Sequence, residues 1–234
     1  MANQTSINPE SLHADFSSIR LLIFDLDGTL IDSRLDLVYS VNATLEHLGR
    51  APLAHEVIES YVGNGVAALV HRALGPGAFE EQVKHAQEFF LDYYRAHMLD
   101  NTVLYPGVRE ALEALGGRSM AVLTNKPVRF SEEILKGLDA ARYFRFVYGG
   151  NSFSCKKPDP VGVQTLLRDL GTSVNEAMMI GDSAVDVRTA RNAGIWSCGV
   201  SYGLGLESMR ADPPDLMLDT LADLPLHLNG RANP

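Results

Sequence analysis

The 234-residue chain carries a formal charge of -9 and a calculated pI near 5.2. That balance excludes wrapping of a polyanion, whose affinity rests on Lys and Arg neutralising phosphates, so an anionic ligand has to be met by a local cation or local donors. With 46% hydrophobic and 21% charged residues, the chain is able to bury a sizeable core, as one large domain or as a main domain with an insertion.

The opening MANQTSINPESLHADFSSIR is polar, lacks the apolar centre of a signal peptide, and reads as a flexible tail over residues 1–18. LLIFDLDG at 21–28 is then the first of four short apolar runs that end in polar or Gly-containing clusters, followed by MAVLTNK at 120–126, FRFVYGG at 144–150 and AMMIGDS at 177–183. Runs that short, rich in Ile, Val and Phe, read as buried strands. Between the first and second, residues 34–102 read as mostly helical, with apolar positions at helical spacing in DLVYSVNATLEHLG, GVAALVHRALG and FEEQVKHAQEFFLDYYRAHM, which predicts a separate small bundle. Helical VREALEAL, FSEEILKGL and VGVQTLLRDLG then alternate with the later strands, the last closing on a Gly suited to a C-cap. IWSCGVSYG and DLMLD add a fifth and sixth strand. Strand and helix alternating in this way predict an α/β fold with a parallel sheet.

No run is long enough to span a bilayer, and two cysteines, Cys155 and Cys198, make no disulfide framework. A reducing, cytoplasmic setting is expected, with no nucleic-acid or membrane partner.

Ligands of open parallel sheets bind beyond the carboxyl ends of the strands. Those ends carry Asp25 and Asp27 after the first run, Thr124 and Asn125 after the second, and Asp182 after the fourth. Carboxylates gathered together resist joint ionisation unless something compensates them, and Asp25, Asp27 and Asp182 are the hard oxygen donors that Mg2+ prefers. Such a site suits phosphoryl transfer, with Asp25 as nucleophile and Asp27 as general acid to the leaving alkoxide and then base to water. Gly28 permits a sharp departure of the backbone. Thr124 and Asn125 suit phosphate oxygens, and one of Lys156 and Lys157 supplies positive charge, because Pro158 biases the chain before it to an extended form. Asp186, four residues after Asp182, falls on the same helix face, as a further metal ligand, as a group orienting one, or only as an acid favouring the helix N-terminus. Gly63, Asn64 and Gly65 read equally as a turn or as a loop whose amides receive a substrate carboxylate, with Arg72 as a possible partner for that charge.

DLDGT at 25–29, LTN at 123–125, KP at 157–158 and GDSAVD at 181–186 resemble, in order and spacing, the four motifs of the haloacid dehalogenase superfamily. The resemblance implies a Rossmann-like three-layer core from residues 19–33 and 103–234, a type 1 helical cap at 34–102, and Lys157 as the lysine of the site. YVGNGVAALVHRAL in the cap, with YPGV, LTNKP and VSYG in the core, is similar to segments of phosphoglycolate phosphatases. That similarity implies Mg2+-dependent hydrolysis of a small phosphate monoester by a monomer or homodimer, with 2-phosphoglycolate the leading substrate. A phosphosugar mutase, or a phosphatase for phosphosugars or pyrophosphate, is the alternative. A phosphonatase would need a cap lysine, and Lys84 is the one Lys between 34 and 102.

Overall fold

A computed structural model describes residues 15–229. The chain enters through Phe16, which is buried with its ring edge-on to Trp196, centroids 5.3 Å apart. The packed chain therefore begins inside the tail expected over residues 1–18, while residues 1–14 of that expectation lie outside the described residues.

Strand β1 (Leu21–Phe24) leads into a turn and then a short strand β2 (Ile31–Asp32). Four helices follow: α1 (Arg34–His47), α2 (His55–Glu59), α3 (Val66–Leu74) and α4 (Glu80–His97). The chain returns through β3 (Val103–Leu104), antiparallel to β2 with Ile31 opposite Leu104 and Asp32 opposite Val103. A two-strand ribbon thus joins the helical cap to the core.

The core alternates thereafter: α5 (Val108–Ala114), β4 (Ser119–Leu123), α6 (Val128–Gly137), β5 (Phe146–Tyr148), α7 (Val161–Leu170), β6 (Ala177–Gly181) and α8 (Ala184–Ala193). It ends with β7 (Trp196–Val200), β8 (Leu216–Leu218) and α9 (Leu224–Leu228). Six strands form one parallel sheet in the order β5-β4-β1-β6-β7-β8, with β1 central between β4 and β6. IWSCGVSYG and DLMLD supply β7 and β8. Gly171 caps α7 at φ 61°, a left-handed conformation that glycine adopts without Cβ strain.

Period two sorts the strand residues between the two faces. Leu21, Ile23, Ala121, Leu123 and Met179 pack against Val163 and Leu166 of α7 and Ala190 of α8. Leu22, Phe24, Val122 and Ile180 face the other way, onto a cluster that includes Leu112 of α5, Ile134 of α6 and Leu224 of α9. Burial on both faces explains why these strands read as unbroken apolar runs rather than alternating ones. The result is the three-layer α/β core expected from the sequence, with every β-to-α loop of the site on one edge.

Candidate active site

The turn after β1 folds on the Leu26 carbonyl, which accepts from the N–H groups of Thr29, Leu30 and Ile31. Gly28 sits at φ 84°, and a Cβ there would collide with Asp182 Oδ2. Both the left-handed backbone and this close approach demand glycine. The turn leaves Asp25 at the strand end, buried, with Asp182 arriving from β6 and Asp186 from the first turn of α8.

One carboxylate oxygen from each of Asp25, Asp182 and Asp186 lies within 4.8 Å of the other two. Each acid is held differently. Asp182 Oδ2 accepts from the Leu204 and Gly205 N–H groups at 2.7 and 3.0 Å, and its Oδ1 accepts from the Thr29 hydroxyl at 3.4 Å. Asp186 Oδ2 accepts from the N–H and hydroxyl of Ser183, capping α8, while its Oδ1 accepts from Lys157 Nζ at 2.6 Å. Asp186 therefore serves the helix start and the acidic cluster together. Lys157 Nζ also stands 2.9 Å from Asp25 Oδ1, but outside hydrogen-bonding direction, and that oxygen is buried without a donor.

Burial pushes the Asp25 carboxyl up to about 6, against the pull of Lys157, and the Asp182 carboxyl up to about 7, with Asp186 and Asp25 adding to the effect. Burial also opposes the charge on Lys157, yet Asp186 and Asp25 outweigh it and hold the ammonium protonated. Three acids against one lysine leave the cluster short of positive charge. The oxygen-only donor set, with a single ammonium shared between Asp25 and Asp186, fits a hard divalent cation.

Asp27 is placed differently. Its Oδ1 accepts from Lys126 Nζ at 2.9 Å and from the Ser33 hydroxyl at 2.6 Å, and its Oδ2 lies 3.1 Å from the same ammonium. Its carboxylate is not part of the three-acid cluster, so the structure does not gather all four aspartates expected to hold metal. The physical reason is the buried Lys126, which offers Asp27 a complete counter-charge. Lys126 also lies over the Tyr94 ring, 4.6 Å from its centroid. Lys126 lies within LTNKP and Tyr94 within FEEQVKHAQEFFLDYYRAHM, and neither segment pointed to a site role for these two residues. A lysine directly after a strand-end Thr-Asn pair was the available signal.

Thr124 and Asn125 follow β4 and are buried. Asn125 Nδ2 donates to the Gly63 carbonyl at 3.0 Å and to the Lys157 carbonyl at 3.2 Å, tying cap to core across the site. Of the cap residues, Gly63 and Gly65 border the cavity that also touches Asp25 and Asp27. A Cβ on Gly65 would meet Lys156 Nζ at 2.9 Å and the Asn125 carbonyl at 3.0 Å. Asn64 is exposed, and Arg72, also exposed, donates to the Tyr61 carbonyl at 3.1 Å, so the structure does not bring Arg72 to the acids. Among the described residues no helix is long and apolar enough to cross a membrane.

A family model described as haloacid dehalogenase-like hydrolase matches residues 22–200. The chain is 41% identical over 214 residues to a phosphoglycolate phosphatase of Pseudomonas fluorescens (strain Pf0-1), covering 88% of this chain and 78% of that one. It is 39% identical over 217 residues to a phosphoglycolate phosphatase of Vibrio parahaemolyticus, covering 88% and 94%. The crystal structure of a predicted phosphoglycolate phosphatase from Haemophilus somnus 129pt superposes with a TM-score of 0.83 at 31% identity, covering 88% of this chain and 96% of that one. The chain belongs to the haloacid dehalogenase-like hydrolases.

Proposed function

We propose that the protein is a Mg2+-dependent phosphatase that hydrolyses 2-phosphoglycolate to glycolate and phosphate through an aspartyl phosphate on Asp25. The single observation that carries the chemistry is the buried trio of Asp25, Asp182 and Asp186 with one lysine as its counter-charge. The substrate is supported by the names of relatives near 40% identity over most of the chain.

The family generally works with a divalent metal. Asp25, Asp182 and Asp186 would hold it, and a bound Mg2+ would shield the negative charge of a phosphoryl group beside Asp25. Asp25 attacks phosphorus as the ester P–O bond breaks, and the leaving alkoxide takes a proton from Asp27. Water then attacks the phosphoryl group, Asp27 accepts its proton, and the Asp25 carboxylate is released with phosphate. In the unliganded chain the Lys126 ammonium donates to both Asp27 oxygens. Donation in the first half requires that this pair loosen when the ester binds.

Thr124, Asn125 and Lys157 are assigned to the phosphoryl group, and the Gly63, Asn64 and Gly65 turn to the far end of the substrate, where its backbone amides can share the carboxylate with a side-chain cation. Arg72 has a place in this scheme only if it leaves the Tyr61 carbonyl. Free, separate cysteines fit a cytoplasmic setting.

The test is a kinetic comparison across phosphate esters with Mg2+ and water as the acceptor. A sharp preference for 2-phosphoglycolate is expected. A flat profile, or activity that appears only with a sugar bisphosphate, would overturn the reading, the latter in favour of a mutase.

A further inference from the structure

A phosphorylated hydroxy acid brings a second negative charge, its carboxylate, and the closed site must answer it. The cap side of the cavity cannot do so with a side-chain charge, since it is lined by Leu37, Val62, Val66 and Leu69 together with the glycines of the 63–65 turn. Lys157 is spoken for by Asp25 and Asp186 and does not border this cavity. Arg72 points to Tyr61, and Lys156, whose Nζ comes close to Gly65, is exposed and does not itself line the cavity. Among the described residues, the cation that borders the cavity is Lys126.

Its position suits the task. Lys126 Nζ contacts both oxygens of Asp27, at 2.9 and 3.1 Å. If Asp27 reaches the ester oxygen, as the proposed function requires, an ammonium on the Asp27 carboxylate stands where a carboxylate one methylene beyond that oxygen would lie. The charge is also independently supported. The Tyr94 ring lies 4.6 Å away, and a cation against an aromatic face keeps part of its stabilisation when a carboxylate partner shifts. The Tyr94 hydroxyl, 1% exposed as a residue, is buried with no hydrogen-bond partner.

We propose that Lys126 is the specificity-determining residue of this site, its ammonium binding the carboxylate of a short phosphorylated hydroxy acid in place of, or together with, Asp27. This rests on the phosphatase reading and goes beyond it by naming the group that selects the substrate. The exchange of partners would also loosen Asp27 at the moment the ester binds.

The readout is the ratio of kcat/KM for 2-phosphoglycolate to that for ethyl phosphate, the same ester without the carboxylate, so that any damage to the shared chemistry cancels. In Lys126→Met and Lys126→Gln the ratio is expected to fall about 10- to 100-fold, the worth of one hydrogen bond to a charged group. Lys126→Arg is expected to retain most of it. A wild-type ratio near one would overturn the phosphoglycolate reading itself, whereas a high wild-type ratio kept by the Met and Gln variants overturns the role of Lys126 alone. Should those variants fail to fold, a crystal structure of the wild-type protein with Mg2+ and 3-phosphonopropionate decides. The carboxylate within hydrogen-bond distance of Lys126 Nζ supports the proposal, and the carboxylate held elsewhere overturns it.

Discussion

Asp36, on the first turn of the cap, and Thr102, at the return to the core, are locked together. Asp36 Oδ2 accepts from the Thr102 N–H at 2.9 Å and from its hydroxyl at 2.7 Å. Asn101 adds its N–H and its side-chain amide to the same carboxylate. The buried acid therefore ties both connecting segments into one unit beside the β2–β3 ribbon. Asp36→Ala would leave buried donors unpaired and is expected to cost about 2–4 kcal/mol of stability, measured by urea denaturation. A loss below half a kcal/mol would contradict this role.

Asp25→Asn keeps the shape of the side chain and removes the nucleophilic oxygen. Hydrolysis of p-nitrophenyl phosphate with Mg2+ is expected to fall at least about 1,000-fold while the circular dichroism spectrum is unchanged. A rate within tenfold of wild type would eliminate Asp25 as nucleophile.

Gly28→Ala puts a methyl group against Asp182 Oδ2 in a left-handed backbone position. The strain is expected to cost about 1–3 kcal/mol, and displacement of Asp182 to weaken Mg2+ binding at least about tenfold, one step of 1.4 kcal/mol. Calorimetric titration with Mg2+ reads the second effect directly. Unaltered affinity would mean that Asp182 does not contribute to the cation site.

The raised carboxyls set a pH dependence. Asp25, near 6, and Asp182, near 7, hold protons in the fold that the unfolded chain releases near 4. Because the native state then binds more protons, stability of the metal-free protein is expected to fall as pH rises from about 4 to about 7 and to level off above that. Mg2+ competes with those protons, so the increase in Tm that it brings should grow across the same window. Thermal melts at several pH values, with Mg2+ and with chelator, check both trends, and a Mg2+ increment independent of pH would contradict them.

The layered core was legible because β1, β4 and β6 are buried on both faces and their sequences are correspondingly unbroken apolar runs. Asp25, Thr124 and Asp182 were legible for a related reason: each directly follows such a run, and parallel topology brings those ends to one edge. The partner of Asp27 was not. Lys126 lies 99 positions away, and their pairing depends on which way each side chain leaves its loop, a choice made by the packing of Ser33 and Tyr94 around them. The contact that Arg72 makes was hidden for the same kind of reason, since helical spacing gives its face but not the Tyr61 carbonyl to which it donates. Local pattern carries the strands and their ends, while side-chain partners set by tertiary packing appear only in the folded chain.

The central claim, a divalent cation among three buried acids, is tested most directly by anomalous diffraction from crystals soaked in Mn2+ as a stand-in for Mg2+. A single strong peak is expected between the carboxylates of Asp25, Asp182 and Asp186, lost in Asp182→Asn, with the Asp27 carboxylate still on Lys126. A peak elsewhere, or none at saturating Mn2+, would contradict the account.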